Sequence, residues 1–321
     1  MTFSLFFLIL LSCQSKRQNT KISGVVFGTT YSVLYDSEND YQDQFDSLFD
    51  EINQSMSTYI KDSDISRLNR SESLIVDSHF MKVYRASKRI HKLTDGAFDP
   101  TIGVVVNAWD FGPEGSIAEL DSLKIDSLMQ FVGLDKVRMK NTTLEKPKGT
   151  FIDFNAIAKG YAVDVISEFL DSRSVENYLV EIGGELRAKG LNIEKESLWT
   201  VGVDQPRFDG QQSIFTAIKL NNKAMATSGT YRKYKIDEAG NRYAHIIDTR
   251  TGYPSKTNLL SISVIADECM TADAYATAFK AMGVDKVQSF LGKYPELQVF
   301  LIFENEKNEL ETLSLNGFPE G

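Results

Sequence analysis

The chain has 321 residues, of which 42% are hydrophobic and 25% are charged, a composition typical of a globular protein that can bury a large core. The formal net charge of −9 argues against a nucleic-acid partner, because no basic stripe is available to displace counterions from phosphates. A single anionic ligand is still compatible with this charge, since a few local cations can hold it. The length admits two domains or one elaborate domain.

The chain begins with an apolar run, "MTFSLFFLILLSC", that is too short to span a bilayer. Its last four residues, 10–13, resemble the lipobox of bacterial lipoproteins, in which the cysteine is acylated. We predict a signal peptide at residues 1–13, an exported lipoprotein anchored to the membrane through Cys13 on its periplasmic or extracytoplasmic side, a polar tether at 14–22 and a folded domain at 23–321. No Lys or Arg precedes the run, unlike a typical signal peptide. A start further upstream and a buried N-terminal strand therefore remain alternatives.

The next elements follow from periodicity. Alternating β-branched and aromatic residues predict a strand or hairpin at residues 22–36, with a bend at Gly28. Apolar residues at helical spacing predict helices at residues 41–56 and 79–93. The segment 94–115 is rich in Gly, Pro and aromatic residues, which is typical of a wall for a flat ligand.

The second half of the chain contains more predicted strands than helices. A short polar helix is predicted at 119–130 and another helix at about 270–283. Strands are predicted at 177–184, 198–204, 213–220, 258–266 and 297–305. Because strands and helices do not alternate strictly, we predict an α+β fold with a mostly antiparallel sheet and packed helices, not a doubly wound fold. The domain is one folded unit that could have two lobes.

The segment "FIDFNAIAKGYAVDVISEFL", residues 151–170, carries apolar pairs every four residues, which predicts one face of a helix. Asp153 or Asn155 is a natural cap, which would place Lys159 in the first turn. A lysine there opposes the helix dipole by about 0.3–1 kcal/mol. Small neighbouring residues would let a phosphate meet the free N–H groups and the ammonium together. The alternative is a solvated Lys159 paired with Asp153 or Asp164.

A second candidate site lies in "MTADAYATAFKAMG", residues 270–283. Asp273 and Thr277 are four residues apart, so their oxygens would lie on one face of a helix. Such hard oxygens suit Mg²⁺, which keeps few protein ligands and completes its shell with water and substrate phosphate. The alternative is that Asp273 is a first-turn acid and Thr277 bonds back to the preceding turn.

Two loops and one cysteine complete the set. Thr227 and Ser228, at the end of a strand, can offer hydroxyls to an anion. His245 begins an apolar triplet, and a lone histidine is more often structural than catalytic. Cys269 is predicted to be a packed thiol without a disulfide. The absence of HExxH and CxxC spacings in the sequence argues against a zinc site.

Eight motifs in order resemble the ApbE family over about residues 24–305. They are "FGTTYSVLY", "MSTYIKDSDISRLN", "GAFDPTIG", "IDFNAIAKGYAVD", "VEIGGELRAKG", "ATSGTYRKY", "HIIDTRTGYP" and "TADAYATAFKAMG". The resemblance implies a T-fold-related domain that acts as an FAD:protein FMN transferase. In that reaction FAD is split at its pyrophosphate, AMP leaves, and FMN is joined through its phosphate to a Thr or Ser of an exported or membrane-bound acceptor protein.

The resemblance also implies residue roles. Asp273, Thr277 and the backbone carbonyl of Ala156 would hold Mg²⁺, with Mn²⁺ as an alternative. Lys159 would contact the FAD phosphates, and His245 would assist proton transfer or hold the phosphate. These assignments make His245, Asp273 and Lys159 the predicted catalytic residues.

The same resemblance gives a set of FAD-binding residues, in which Tyr59 and Phe98 are the expected stacking surfaces. The set is Met56, Tyr59, Ala97, Phe98, Asp99, Lys159, Gly183, Gly184, Glu185, Thr227, Ser228 and His245. Two other functions remain open. Water could replace the acceptor, giving an FAD pyrophosphatase, or the protein could bind FAD without chemistry.

Overall fold

A computed structural model describes residues 17–231, 234–236 and 242–320. The predicted signal peptide, with the lipidation site Cys13, lies outside the described residues. Within those residues, no helix is long and apolar enough to cross a bilayer.

An eight-stranded sheet forms the centre of the described fold, and each pair of neighbouring strands is antiparallel. In order across the sheet, the strands are β1 (Thr20–Val26), β2 (Thr29–Tyr35), β5 (Tyr178–Ile182), β6 (Glu185–Lys189), β10 (Lys223–Gly229), β13 (Leu259–Ala266), β14 (Gln298–Glu304) and β15 (Leu310–Leu315). The α+β class with an antiparallel sheet is confirmed. Strand β1 includes residues 20–22, which we had assigned to the tether.

Smaller strands flank this sheet. A three-stranded sheet contains β7 (Leu191–Asn192), β8 (Ser197–Asp204) and β9 (Ile214–Leu220). Two hairpins are formed by β3 (Arg138–Lys140) with β4 (Thr143–Glu145), and by β11 (Tyr234–Ile236) with β12 (Arg242–Ala244).

The helices predicted from periodicity are present to within a few residues. The described helices are α1 (Gln42–Met56), α2 (Asp64–Asn69), α3 (Ser78–Leu93), α4 (Gly103–Ala108), α5 (Ser122–Met129), α6 (Ala158–Ser172), α7 (Cys269–Met282) and α8 (Val284–Leu291), with a 3₁₀ turn at Leu134–Lys136. Helices α2, α4 and α8 were not predicted. The six residues of α2 and of α4 make less than two turns, and the eight of α8 make little more than two, so each carries little periodic signal.

Two hydrophobic cores lie on opposite faces of the large sheet. The main core packs α1, α3, α6 and α7 against sheet residues such as Val180, Ala226 and Val264. The second core lies under β8 and β9 and includes Trp199 and Ile265. Burial of a Val or Ile side chain such as Val180, Val264 or Ile265 stabilises the fold by about 1.5–3 kcal/mol. The sheet is therefore held firmly from both sides, which gives the ends of its strands fixed positions.

Candidate active site

A cavity of about 970 Å³ opens where the ends of several strands meet the first turns of α6 and the middle of α7. Its described lining includes these predicted site residues: Met56, Tyr59, Ala97, Phe98, Asp99, Ala156, Lys159, Gly183, Glu185, Thr227, Ser228, His245, Asp273 and Thr277. The structure thus brings the two helical motifs and the two loops to one cavity. Their individual roles stay predictions.

The start of α6 differs from our prediction. The residue at the N-cap is Ile157, which makes no side-chain cap, and the helix begins at Ala158. The Asp153 carboxylate instead accepts the N–H of Asn155 at 2.8 Å. The N–H of Ala158 is donated to the carbonyl of Phe154. The predicted cap at Asp153 or Asn155 is therefore wrong, because these two residues form a local turn before the helix.

The ammonium of Lys159 has a partner inside the cavity. Its Nζ lies 2.6 Å from Oε2 of Glu185, whose side chain is only 3% exposed. Glu185 is the first residue of β6, so the pair joins α6 to the sheet. Asp164, one of the predicted alternative partners, forms its ion pair with Arg187. A buried carboxylate beside this cation offsets the unfavourable position of the lysine at the helix start.

Gly160 packs directly against α7. Its N–H donates a 3.0 Å hydrogen bond to Oδ2 of Asp273. A Cβ on Gly160 would lie 2.5 Å from the carbonyl oxygen of Cys269 and 2.8 Å from Cβ of Asp273. The sequence predicts that the small residues next to Lys159 let a ligand approach the backbone. At position 160 this prediction is wrong, because the missing side chain instead lets α6 pack directly against α7.

Asp164 ties the same two helices together one turn further along α6. Its carboxylate accepts the N–H groups of Cys269 at 3.0 Å and Met270 at 2.8 Å, and Nη1 of Arg187 donates to it at 2.9 Å. Burial raises the pKa of the Asp164 carboxyl to about 6, while these three donors oppose the rise. The group is therefore mostly ionised at neutral pH.

The face of α7 that borders the cavity carries one carboxylate and one hydroxyl. Asp273 is 5% exposed, and Oγ1 of Thr277 lies 3.3 Å from Oγ of Ser228 on β10. Thr227, on the opposite side of that strand, bonds to Ser263 at 2.8 Å. Asp273, Thr277 and Ser228 therefore place oxygen atoms, one carboxylate and two hydroxyls, in one part of the cavity.

The turn between β5 and β6 is a two-residue hairpin made of Gly183 and Gly184. Their φ angles are +62° and +96°, the left-handed values that a tight hairpin of this kind needs and that glycine adopts without strain. Gly184 donates its N–H to Oε1 of Glu181 at 2.6 Å and is not among the described residues that line the cavity. The glycine pair thus shapes the turn that presents Gly183 and Glu185.

The apolar walls differ from one another in exposure. Tyr59 is 61% exposed at the rim, whereas Phe98 is 2% exposed and packs into the main core. Asp99 accepts from the N–H and hydroxyl of Thr101 and from the N–H of Leu134. The exposed ring of Tyr59 is therefore accessible to a ligand. The carboxylate of Asp99 instead fixes the turn to Thr101 and the backbone of Leu134.

His245 follows β12 and faces the cavity next to Phe111. The two rings are 6.2 Å apart and steeply inclined. Ile246 and Ile247, which come next in the chain, also line the cavity. The hydroxyl of Thr249 donates to the carbonyl of Gly96 at 2.6 Å. This bond ties the histidine loop to the segment that forms the aromatic wall.

Several lining residues were missed at the sequence level. The turn at Phe27, Gly28 and Thr29 borders the cavity, although we used Gly28 only as a bend. Phe111 and Ile102 also line the cavity, within the segment 94–115 that the sequence predicts as a wall for a flat ligand. The glycine of the turn at 27–29 is visible in the sequence, but which cavity the turn borders depends on the tertiary fold.

Cys269 is buried, as predicted, and is the free cysteine of the described residues. Burial raises the pKa of its thiol well above the usual range. A thiol in this state is a poor nucleophile. Cys269 therefore serves as packing at the start of α7.

Comparison with known proteins identifies the family. The model of the ApbE family matches residues 27–301. The chain belongs to the ApbE family. Its FAD:protein FMN transferase relatives include that of Haemophilus influenzae, 37% identical over 98% of this chain and 94% of that protein. The transferase of Vibrio cholerae is 38% identical over 87% and 86% of the two chains.

Solved structures of ApbE proteins share the same fold. The flavin transferase ApbE from Vibrio cholerae superposes with a TM-score of 0.83 and 33% identity, covering 93% of this chain and 97% of that one. The flavinyl transferase ApbE of Pseudomonas stutzeri gives a TM-score of 0.83 at 28% identity, covering 93% and 95%. The ApbE fold therefore extends over nearly all of the chain.

Proposed function

We propose that this ApbE-family protein transfers FMN from FAD to a Thr or Ser hydroxyl of an acceptor protein and releases AMP. The observation that carries the proposal is the single cavity that combines the Asp273 carboxylate, the Lys159 ammonium and His245 with apolar walls. Relatives that are 37–38% identical over most of the chain are FAD:protein FMN transferases.

The cavity suits a dinucleotide in size and lining. Its volume of about 970 Å³ lies at the upper end of the range for small-molecule sites. Ile52, Met56 and Ile246 supply apolar surface, and Tyr59 is exposed at the rim. A flavin ring can use these surfaces, while the diphosphate needs the polar part of the cavity near α6 and α7.

The proposed reaction breaks the phosphoanhydride bond of FAD and forms a phosphoester bond to the acceptor. The acceptor hydroxyl oxygen forms a bond to the phosphorus of the FMN half of FAD. The bond from that phosphorus to the bridging oxygen breaks, and AMP leaves with that oxygen. The hydroxyl proton passes to a base. Such phosphoryl transfer needs mainly positioning and neutralisation of charge.

A divalent cation fits the donors that the chain provides. Asp273, Thr277, Ser228 and the carbonyl of Ala156 are hard oxygens that border the same cavity, and Mg²⁺ or Mn²⁺ prefers such ligands. No cluster of three or more His, Cys, Asp or Glu side chains suited to a metal occurs in the described residues. The proposed set needs only one carboxylate. When bound, Mg²⁺ would neutralise phosphate charge and act as a Lewis acid.

The other polar residues orient the substrate. Lys159 is held by Glu185, so its ammonium has a fixed position from which it can contact a phosphate. His245 lies beside Phe111 on the wall, where it can accept the hydroxyl proton or donate to a phosphate oxygen. Geometry within hydrogen-bond reach of the acceptor is what a general base requires.

We further propose that the protein is exported and anchored by a lipid on Cys13. The support is the apolar run that ends in "LLSC". An acceptor on the same side of the membrane would then be an exported or membrane-bound protein. A single acyl chain binds a membrane only marginally, so more than one chain would be needed for stable anchoring.

One experiment tests the proposed reaction and separates it from its alternatives. The protein is incubated with FAD, Mg²⁺ and a candidate acceptor domain, and AMP release is measured together with flavin fluorescence on the acceptor in a denaturing gel. Transfer predicts equal amounts of AMP and labelled acceptor. AMP without label would instead identify an FAD pyrophosphatase, and bound FAD without AMP would identify a carrier.

A further inference from the structure

Three ion pairs connect α6 to β6 and form a ladder that starts at the cavity. Residues at alternate positions of a strand lie on one face, and in β6 these are positions 185, 187 and 189. From the cavity outward, the pairs are Lys159–Glu185 at 2.6 Å, Arg187–Asp164 at 2.9 Å and Lys189–Asp171 at 3.0 Å. The first pair borders the cavity, and the third lies at the more exposed end.

The middle pair differs from the other two because it also contacts α7. That helix begins at Cys269, and the residue before it, Glu268, makes no side-chain cap. The first N–H groups of a helix have no partner within the helix. Asp164 accepts two of them, from Cys269 and Met270, at 3.0 and 2.8 Å. A carboxylate from one helix thus caps the start of the other.

A second hydrogen bond joins the same helices, but here the donor is on α6 and the acceptor is on α7. Gly160, one turn before Asp164, donates its N–H to Asp273, one turn after Cys269. Two such contacts, one turn apart on each helix, oppose both sliding and rotation of α7 relative to α6. The side chains of Asp273 and Thr277 project from α7 into the cavity, so their positions depend on this docking.

We propose that Asp164 is a positioning residue for the diphosphate and metal site, and that its carboxylate, held by Arg187, sets the place of Asp273 and Thr277. The inference rests on the proposed function. Asp164 is 3% exposed and is not one of the described residues that line the cavity, so it acts only through α7. Loss of such a supporting contact typically weakens metal affinity by about 10–100-fold.

The test compares Asp164→Asn with Asp171→Asn, a matched control on the same helix. Asp171 pairs with Lys189 and accepts from the Tyr178 hydroxyl, and no described contact joins it to α7. Asparagine keeps the volume of Asp164, but its amide NH₂ cannot accept the second N–H. Two quantities are measured: the Mg²⁺ concentration that half-saturates AMP release from FAD in the presence of the acceptor domain, and the dissociation constant of Mn²⁺ with ADP, from the EPR signal of free Mn²⁺.

We expect Asp164→Asn to raise both metal constants by about tenfold or more while kcat at saturating Mg²⁺ changes little. Asp171→Asn should leave both constants within about twofold of the original protein, since the described contacts of Asp171 are with Lys189 and Tyr178 and none reaches α7. Should Asp164→Asn not fold, Arg187→Gln serves instead, with a smaller change in the same direction. The melting temperature of every variant is recorded.

A lower melting temperature with unchanged metal constants in the folded variant would overturn the positioning role, because it would leave only a structural one. Failure of the original protein to bind Mn²⁺ with ADP and to release AMP is a different result. It would refute the proposed function, and this inference would fall with it. Measurements on the unsubstituted protein therefore tell failure of the proposed function apart from failure of the positioning role of Asp164.

Discussion

The N–H of Gly160 donates a 3.0 Å hydrogen bond to the carboxylate of Asp273, and the two residues are 113 positions apart in the sequence. This contact joins the first turn of α6 to the side of α7 that faces the cavity. There is no space for a side chain between them, since a Cβ at position 160 would meet the backbone of Cys269 at 2.5 Å. The separation of the two helices is thus fixed by a glycine.

Overpacking at Gly160→Ala should cost about 1–3 kcal/mol, against a gain of about 1 kcal/mol in helix propensity. We therefore predict that the variant is less stable by up to about 2 kcal/mol. AMP release should also fall, because α7 must move away from α6. Urea denaturation and an AMP assay measure the two effects.

The control is Gly292→Ala. That glycine has helical angles, φ −60° and ψ −19°, and a Cβ there would meet its nearest neighbour at an ordinary 3.7 Å. It should be neutral or stabilise by about 0.4–1 kcal/mol. Equal stability of the two variants would contradict the close packing of α6 on α7.

The second prediction concerns the carboxylate itself. Asp273→Asn keeps the shape of the side chain and an oxygen for the N–H of Gly160, but it removes the charge. If a divalent cation supplies several kcal/mol of transition-state stabilisation, AMP release should fall on the order of a hundredfold or more. Chelation of divalent cations should have the same effect on the original protein. Asp267→Asn is the control, since Asp267 is 83% exposed and pairs with Lys223 on the surface.

Much of the fold was predictable because its signals are local. The apolar spacing of α1, α3 and α7 and the alternation in β1 and β2 gave elements to within a few residues. The sheet order was not predictable from those patterns, since pairing of β6 with β10 joins segments separated by β7, β8 and β9. Short elements such as α2 and α4 lacked enough turns to show a period.

The site was predictable as a set of residues but not as a set of contacts. The spacing of Asp273 and Thr277 placed both on one helical face, and both border the cavity. Lys159 forms an ion pair with Glu185, which lies on β6. The segment around Lys159 itself offers only Asp153 and Asp164 as partners. An ion pair between a helix and a strand depends on how the two elements pack in the tertiary fold. The spacing of residues within one segment carries no information about that packing.

The third prediction separates charge from stability in the Lys159–Glu185 pair. Lys159→Met leaves the carboxylate of Glu185, 3% exposed, without this cation. The protein should lose about 1–3 kcal/mol as well as activity. In Lys159→Met/Glu185→Gln the buried charge is gone, so stability should return while AMP release stays low. Urea denaturation of Lys159→Met, Glu185→Gln and the double variant gives the coupling energy of the pair, and the AMP assay of the same three proteins gives their activity. Recovered activity in the double variant would show that Lys159 acts only by neutralising Glu185.

The fourth prediction tests the lipid anchor. Cys13→Ala removes the only thiol in the predicted lipobox, so the protein should no longer incorporate an alkynyl fatty acid and should leave the membrane fraction. The Cys269→Ala variant is the control, because that thiol is buried in the fold. Membrane association that persists without acylation in Cys13→Ala would instead identify the apolar run as an uncleaved anchor.

The fifth prediction concerns Lys280, which is fully buried in α7. Its ammonium donates to Oγ1 of Thr257 at 3.0 Å, and no described carboxylate forms an ion pair with it. Burial lowers the pKa of Lys280 from 10.5 to about 8. A lysine whose pKa is lower in the folded state than in the unfolded state destabilises the fold wherever it is charged. The penalty is complete below pH 8, decreases as pH rises from 8 towards 10.5, and is absent above that range.

Lys280→Met should therefore stabilise the protein at pH 7. A difference of 2.5 in pKa corresponds to about 3 kcal/mol of stability. Loss of the hydrogen bond to Thr257 costs about 1 kcal/mol, so the net gain in stability is about 2 kcal/mol. Urea denaturation at pH 7 and at pH 10 measures the change, with Lys286→Met as the control, because Lys286 on α8 is exposed. The gain should shrink at the higher pH, because Lys280 is then neutral in the folded protein and the cost of removing its proton falls as the pH approaches 10.5. A gain of equal size at both values would mean that packing, and not the buried charge, separates the two proteins.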